Sequence, residues 1–213
     1  MKRTKNIIIA LLCLAVAALL IKVCLFPKVK TSEEGREVLT AIATRTSVRA
    51  YTPEEVGRDT VETLLRAAMA APTAGNLQPW RFVVITDRAI LDSVPRRIDT
   101  ARMLASAPLA IVVCGDLGST FEGEGQDYWV QDASAATENL LLAAHALGLG
   151  AVWCGVHPIE ERVTFMRELL RLPPNLVPLN IIAIGHPDEQ PEPKDKWKPG
   201  NIRLQTWDGD AWQ

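Results

Sequence analysis

The chain has 213 residues, 48% of them hydrophobic and 23% charged, with a formal net charge of −2. Such a chain sustains a packed core without a disulfide framework, which excludes global disorder. A nearly balanced charge excludes a strongly basic nucleic-acid binder.

The balance is a sum of opposites. Residues 1–30 carry six basic side chains and no acid, leaving 17 basic against 25 acidic side chains in residues 31–213. Ile7–Ile21 contains no charge, Gly or Pro, and with Val23–Phe26 the apolar run reaches about 20 residues, enough to span about 30 Å of hydrocarbon. Lys22 sits near its end, where a long stem can snorkel to the interface. The sequence therefore predicts an N-terminal membrane anchor helix within residues 1–30, followed by a single domain at 31–213. The alternative is a signal sequence: MKRTK precedes the apolar run, and Ala15-Val16-Ala17 fits a small-residue cleavage pattern, so the body would be exported after cleavage. Basic residues flank both ends and orient the run weakly. The export-like start places the body outside the cytoplasm.

In the body, Glu33 to Thr44 reads as a helix. Asp59 has the chemistry of an N-cap and Glu62 that of a capping-box acid, opening a helix through about Ala70 that Pro72 stops. Arg81 to Thr86 reads as a strand. Leu109 to Cys114 reads as a second, apolar throughout and so buried on both faces. Tyr128 to Leu147 is the longest helix, with Trp129, Ala133, Ala136, Leu140, Ala143 and Leu147 forming a stripe suited to packing against another helix. Gly148-Leu149-Gly150 ends it. Ala151 to Cys154 is a short strand, Pro158 opens a helix to about Leu172, and Leu179 to Gly185 is a further strand. The stretch PDEQPEPKDKWKPG is too rich in Pro and charge for regular structure. Strands and helices alternate with irregular spacing, which predicts an α+β fold with a central mixed sheet flanked by helices.

No GxGxxG follows the first strand and no GxxxxGK[ST] occurs, so a Rossmann or P-loop nucleotide site is not expected. His145, His157 and His186 are far apart and no HExxH occurs, so no metal site is expected. Cys114 and Cys154 lie in strand-like runs without CxxC spacing.

Three polar segments carry candidate chemistry. Arg45, Ser47 and Arg49, around Thr46, alternate onto one side of an extended chain. Two guanidinium forks and a hydroxyl there suit a phosphate, although taken alone the segment reads more readily as a solvated basic loop. Pro72-Thr73-Ala74-Gly75-Asn76-Leu77-Gln78-Pro79-Trp80 offers amides and a hydroxyl that can read the edge of a planar heterocycle, or simply joins helix to strand. Trp80 is expected in the core. Lys194 and Lys196 alternate in the tail, where they can add charge to a phosphate or remain solvated.

Together, in this order, the three segments resemble the FMN-dependent nitroreductase family over roughly Glu37 to Trp207. The resemblance implies the nitroreductase-like fold and the role of each segment. Arg45, Thr46, Ser47 and Arg49 would bind the FMN phosphate and ribityl chain. Pro72, Thr73, Ala74, Asn76 and Gln78 would line the flavin from the other subunit of a homodimer. Cys154 and Gly155 would present backbone near flavin N5, with Cys154 packing rather than acting as a nucleophile. Lys194 and Lys196 would return to the phosphate; the second position is often Arg in the family, so Lys196 keeps the charge but loses the fork. The stripe from Trp129 to Leu147 gains a candidate partner in the symmetry-related helix of the dimer.

The implied activity is that of an FMN-dependent oxidoreductase. NAD(P)H would deliver hydride to flavin N5, and a nitroaromatic, quinone or similar small-molecule acceptor would then be reduced on the same face, with ping-pong kinetics and no catalytic side chain. A relative with a dedicated substrate, such as a reductive dehalogenase or a flavin-fragmenting enzyme, is the alternative. The segment Asp116 to Asp127 looks too short and too poor in aromatic or basic clamps for the lid that such enzymes carry. A flavin-binding redox module fed by a membrane partner is the remaining reading.

Overall fold

The computed structural model describes residues 31–212. The anchor or signal expected within residues 1–30 lies outside them. No helix among the described residues is long and apolar enough to cross a membrane. Residues 45–191 form one compact body; α1 (Glu33–Thr44) and the segment from Glu192 onward belong to a second.

The larger body is built on four strands: β1 (Trp80–Ile85), β2 (Leu109–Asp116), β3 (Gly150–Gly155) and β4 (Leu176–Gly185), in the order β1-β2-β4-β3. Every residue of β2 is buried. Its continuous apolar run thus takes an inner place in the sheet, with β4 beside it. All three pairings are antiparallel, which corrects the expected mixed sheet. Burial on both faces is usual for parallel strands. Here it arises because helices cover both faces of an antiparallel sheet. A register shift between Val113 and Cys114 lets Leu179 bulge from β4.

Side chains alternate between two core layers. On one face Leu109, Ile111, Val113, Ile182 and Ile184 meet α2 (Arg58–Met69) through Leu64 and Ala68, and α4 (Tyr128–Ala146) through Trp129, Ala133, Ala136 and Leu140. On the other, Ala110, Val112, Cys114, Ile181 and Ala183 meet Leu91 of α3 (Arg88–Ser93), Ala101 and Leu104 of a following turn, and Val163 and Met166 of α5 (Glu160–Leu170). Trp80 is buried at 5% exposure, as expected of a core residue.

Two sequence expectations are corrected here. The α4 stripe faces the sheet and α2 of its own chain, so it is not available to a symmetry-related helix; Leu147, at 47% exposure, falls off it. The alanines still do what small residues do, letting a helix approach closely, but the surface approached is the sheet. Helix α2 begins at Arg58, with Gly57 as its N-cap and no side-chain cap bond. Its first bond runs from Val61 N–H to the Gly57 carbonyl at 3.1 Å. Asp59 thereby falls inside the first turn, where its charge complements the helix dipole but no capping box forms.

Candidate functional site

The segment Arg45–Arg49 runs in extended form along the free side of β3. The Val48 N–H donates to the Ala151 carbonyl at 3.1 Å. Val48 turns inward and is buried, while Arg49 is exposed and Arg45 and Ser47 are half-buried. Val48 sits so close to β3 that a Cβ at Gly150 would lie 2.6 Å from its Cγ1. Tyr51 pins the segment from beneath, its hydroxyl lying 2.6 Å from the Val48 carbonyl and 3.1 Å from that of Ala183 on β4. Burial pushes this phenol well above its ordinary pKa, so it stays a donor.

The guanidinium of Arg45 lies 3.4 Å from the Glu138 carboxylate of α4. His145 on the same helix is held below its ordinary pKa by burial and then by Arg45. The Arg49 backbone N–H donates to the Glu189 carboxylate. The segment thus already attracts oxyanions, the property a phosphate site requires.

Cys154 and Gly155 end the same strand. Cys154 is buried, with its Sγ 3.5 Å from Met103 Sδ. Burial raises its pKa to about 11, against the opposing pull of Arg49 and Arg162. It is therefore a neutral thiol at pH 7, which fits packing rather than nucleophilic attack. Gly155 is different: a Cβ built on it meets nothing within 4 Å. Its carbonyl accepts a 2.9 Å hydrogen bond from Arg162 of α5. The strand end is anchored from behind and bare in front, which leaves backbone open to a planar ring.

The loop from Pro72 to Gln78 lies before β1. Gly75, Asn76 and Gln78 have φ of 58°, 56° and 51°. For Asn76 and Gln78 the left-handed conformation costs roughly 1–2 kcal/mol each, so the surroundings must enforce it. The Thr73 hydroxyl accepts the Gln78 N–H at 3.3 Å, and Asn76 Oδ1 accepts from Gln78 Nε2 at 2.9 Å. Phe121 lies over Gly75, 2.8 Å from where a Cβ would stand, so any larger residue there would collide as well as strain. Asp132, a buried acid on α4, accepts the Ala74 N–H at 2.9 Å.

The structure therefore brings Arg45, Ser47, Arg49, Cys154 and Gly155 together along β3. It places Pro72, Thr73, Ala74, Asn76 and Gln78 beside β1, the opposite edge of the sheet. Three strand spacings separate the edges, about 14 Å. Lys194 and Lys196 are exposed on the C-terminal segment, which belongs to the other body. Asp132, Phe121, Tyr51 and Arg162 escaped the sequence reading. Asp132 could have been found, because it is an acid between Trp129 and Ala136 on the face of α4 that the stripe marks as buried.

A family model described as the nitroreductase family matches residues 42–102 and 99–186. A protein of Archaeoglobus fulgidus, provisionally named an NADH dehydrogenase/NAD(P)H nitroreductase, is 43% identical over 80% of this chain and 99% of its own length. A crystal structure from Parabacteroides distasonis, of the same provisional name, superposes with a TM-score of 0.77 at 41% identity over 80% of this chain and 99% of that one. An FMN-dependent nitroreductase from Clostridium difficile superposes with a TM-score of 0.72 at 28% identity over 78% of this chain and 98% of that one. With most of the body matched and relatives covered nearly end to end, the chain belongs to the nitroreductase family.

Proposed function

We propose that this chain is an FMN-dependent oxidoreductase of the nitroreductase type, taking electrons from NAD(P)H and passing them to nitroaromatic, quinone or similar small acceptors. The observation that carries this reading is a pair of features on β3: the Arg45–Arg49 segment bonded to it at Ala151, and the bare backbone of Gly155 at its end. The three relatives named above supply the chemistry: two carry NAD(P)H nitroreductase in their names and the third carries FMN.

The residues present fit the flavin. The open space over Gly155 admits a planar ring that a side chain would block. Arg45, Thr46, Ser47 and Arg49 offer charge and a hydroxyl for a phosphate and its ribityl chain, and Arg45, already half-buried, would exchange its carboxylate partner for a phosphate. Lys194 and Lys196 are assigned to the phosphate by the family resemblance alone. FMN, when bound there, would supply the hydride-accepting and hydride-donating chemistry. The chain's own task is to hold the ring, keep its reactive face open and fix charge around it. Cys154 contributes packing and Gly155 contributes backbone. No side chain is required to form a bond with substrate.

The functional unit we propose is a homodimer with flavin at the subunit interface. Support comes from the placement of the two flavin segments on opposite edges of one sheet, so that Pro72, Thr73, Ala74, Asn76 and Gln78 face a neighbour's flavin. The apolar run within residues 1–30 supports membrane attachment by an N-terminal helix, with the body outside the cytoplasm; cleavage after export is the alternative.

The test is anaerobic reduction of the detergent-solubilised, FMN-loaded full chain by NADH and NADPH in parallel. Bleaching of the flavin absorbance by either, followed by reoxidation with a quinone or a nitroarene, is expected. A flavin that neither nicotinamide bleaches would overturn the donor assignment.

A further inference from the structure

Helix α4 carries two polar side chains that reach α2 and the loop that follows it. Asn139 Nδ2 donates to the Ala67 carbonyl in the last turn of α2, at 3.1 Å. Asp132, seven residues earlier and so on the same face two turns away, accepts the Ala74 N–H at 2.9 Å. Between those two bonds lies the whole passage from the end of α2 into the loop at Pro72–Gln78.

The tight turn Ala74–Asn76 has Thr73 as its N-cap, yet Thr73 makes no side-chain cap bond to it. The Thr73 hydroxyl is turned to Gln78 N–H instead. Asp132 supplies from another element the oxygen that the local sequence does not. It is an acidic residue buried at 6% exposure beside Trp129, Ala133, Ala136 and Leu140, and the other buried polar side chain of the helix is the uncharged Thr137. Burying a carboxylate there is costly unless it is hydrogen-bonded, so the acid is poorly explained by packing. It is well explained by a backbone donor that must be held in one place while the next residues take positive φ.

We propose that Asp132 is a positioning residue for the flavin-facing loop: its carboxylate fixes Ala74 and thereby holds Gly75, Asn76 and Gln78 in the left-handed conformations that present the loop to FMN. This rests on the flavin reading of that loop. Asp132 itself touches neither cofactor nor substrate in this account and acts only through Ala74.

The experiment compares the wild-type chain with Asp132→Ala and Asp132→Asn. An asparagine keeps an acceptor oxygen at the same reach, so it should rescue what alanine loses. Flavin fluorescence titration of the apoproteins gives FMN affinity, and hydrogen exchange of peptides covering residues 72–79 gives loop opening. Asp132→Ala should weaken FMN binding about tenfold or more and speed exchange at Ala74, as expected when a backbone donor loses its partner. Asp132→Asn should stay within about threefold of wild type in both.

Wild-type affinity and exchange in Asp132→Ala would overturn the proposal, and so would an Asp132→Asn protein that melts normally but binds FMN as poorly as the alanine variant. If Asp132→Ala does not fold, Asp132→Asn and the wild type decide it, since rapid exchange at Ala74 in the wild type overturns the proposal and slow exchange in both supports it. A wild-type chain that takes up no FMN defeats the flavin reading of the loop. Exchange at Ala74 across the three proteins then decides whether Asp132 holds it.

Discussion

Gly155 turns an unsubstituted Cα toward open space at the end of β3. Among the described residues nothing fills that space, which separates folding from binding at this position. Gly155→Ala should therefore melt close to the wild-type temperature, because the added methyl meets no described atom within 4 Å. Its FMN affinity should fall by about tenfold, the order expected when a methyl intrudes on a packed contact. Thermal melts and flavin titrations read the two effects independently, and an unchanged affinity would remove Gly155 from the cofactor's surroundings. Of the alternation expected for Arg45, Ser47 and Arg49, the structure shows Val48 buried and Arg49 exposed, while Thr46 is half-buried like Arg45 and Ser47. Asp132 and Tyr51 were harder to see. Their roles come from backbone groups far away in sequence, and composition says nothing of which carbonyl or amide a side chain will reach.

At the scale of elements, strand positions were readable and pairing was not. Apolar runs announce that a segment is buried, but both parallel and antiparallel neighbours satisfy that demand. The α4 stripe shows the same limit, since it specifies an apolar partner without saying whether that partner is a helix or a sheet. The end of β2 was also opaque. Asp116 there is buried and accepts from Arg81 at 2.6 Å, Asn175 at 2.7 Å, Ser119 at 3.0 Å and the Gly118 N–H at 3.0 Å, tying β1, the turn after β2 and the loop before β4 together. Burial by itself would raise the Asp116 pKa. The donors from Asn175, Ser119 and Gly118 together with the Arg81 charge outweigh it, and the carboxyl is held below its usual range. Such a group adds stability that is complete above the unfolded pKa of about 3.9 and is lost as pH falls through the folded value. Asp116→Asn should accordingly be less stable than wild type at neutral pH and converge with it in acid. Urea midpoints followed from neutral pH down to strong acid measure this, and a constant gap between the two proteins across that range would refute the linkage.

For the whole molecule, the decisive fact is that the Arg45–Arg49 segment and the Pro72–Gln78 loop, both proposed to contact flavin, lie at opposite edges of one sheet. Shared sites make a prediction about mixtures. A chain with Arg45→Ala and a chain with Asn76→Ala and Gln78→Ala should each bind FMN poorly alone. Mixed, dissociated and reassociated, they should recover about a quarter of the sites, because half the dimers are heterodimers and each of these has one intact site. Flavin occupancy after gel filtration gives the count. No recovery would mean that each chain builds its own site. The edge of β3 has a second consequence. Outer strands offer unpaired amides and carbonyls to any passing extended peptide, the usual start of aggregation. By giving its Val48 amide to Ala151, the arginine-bearing stretch occupies part of that template. The segment proposed to bind the cofactor thus also acts as a gatekeeper, and without any ligand it keeps this flank closed to intruding strands.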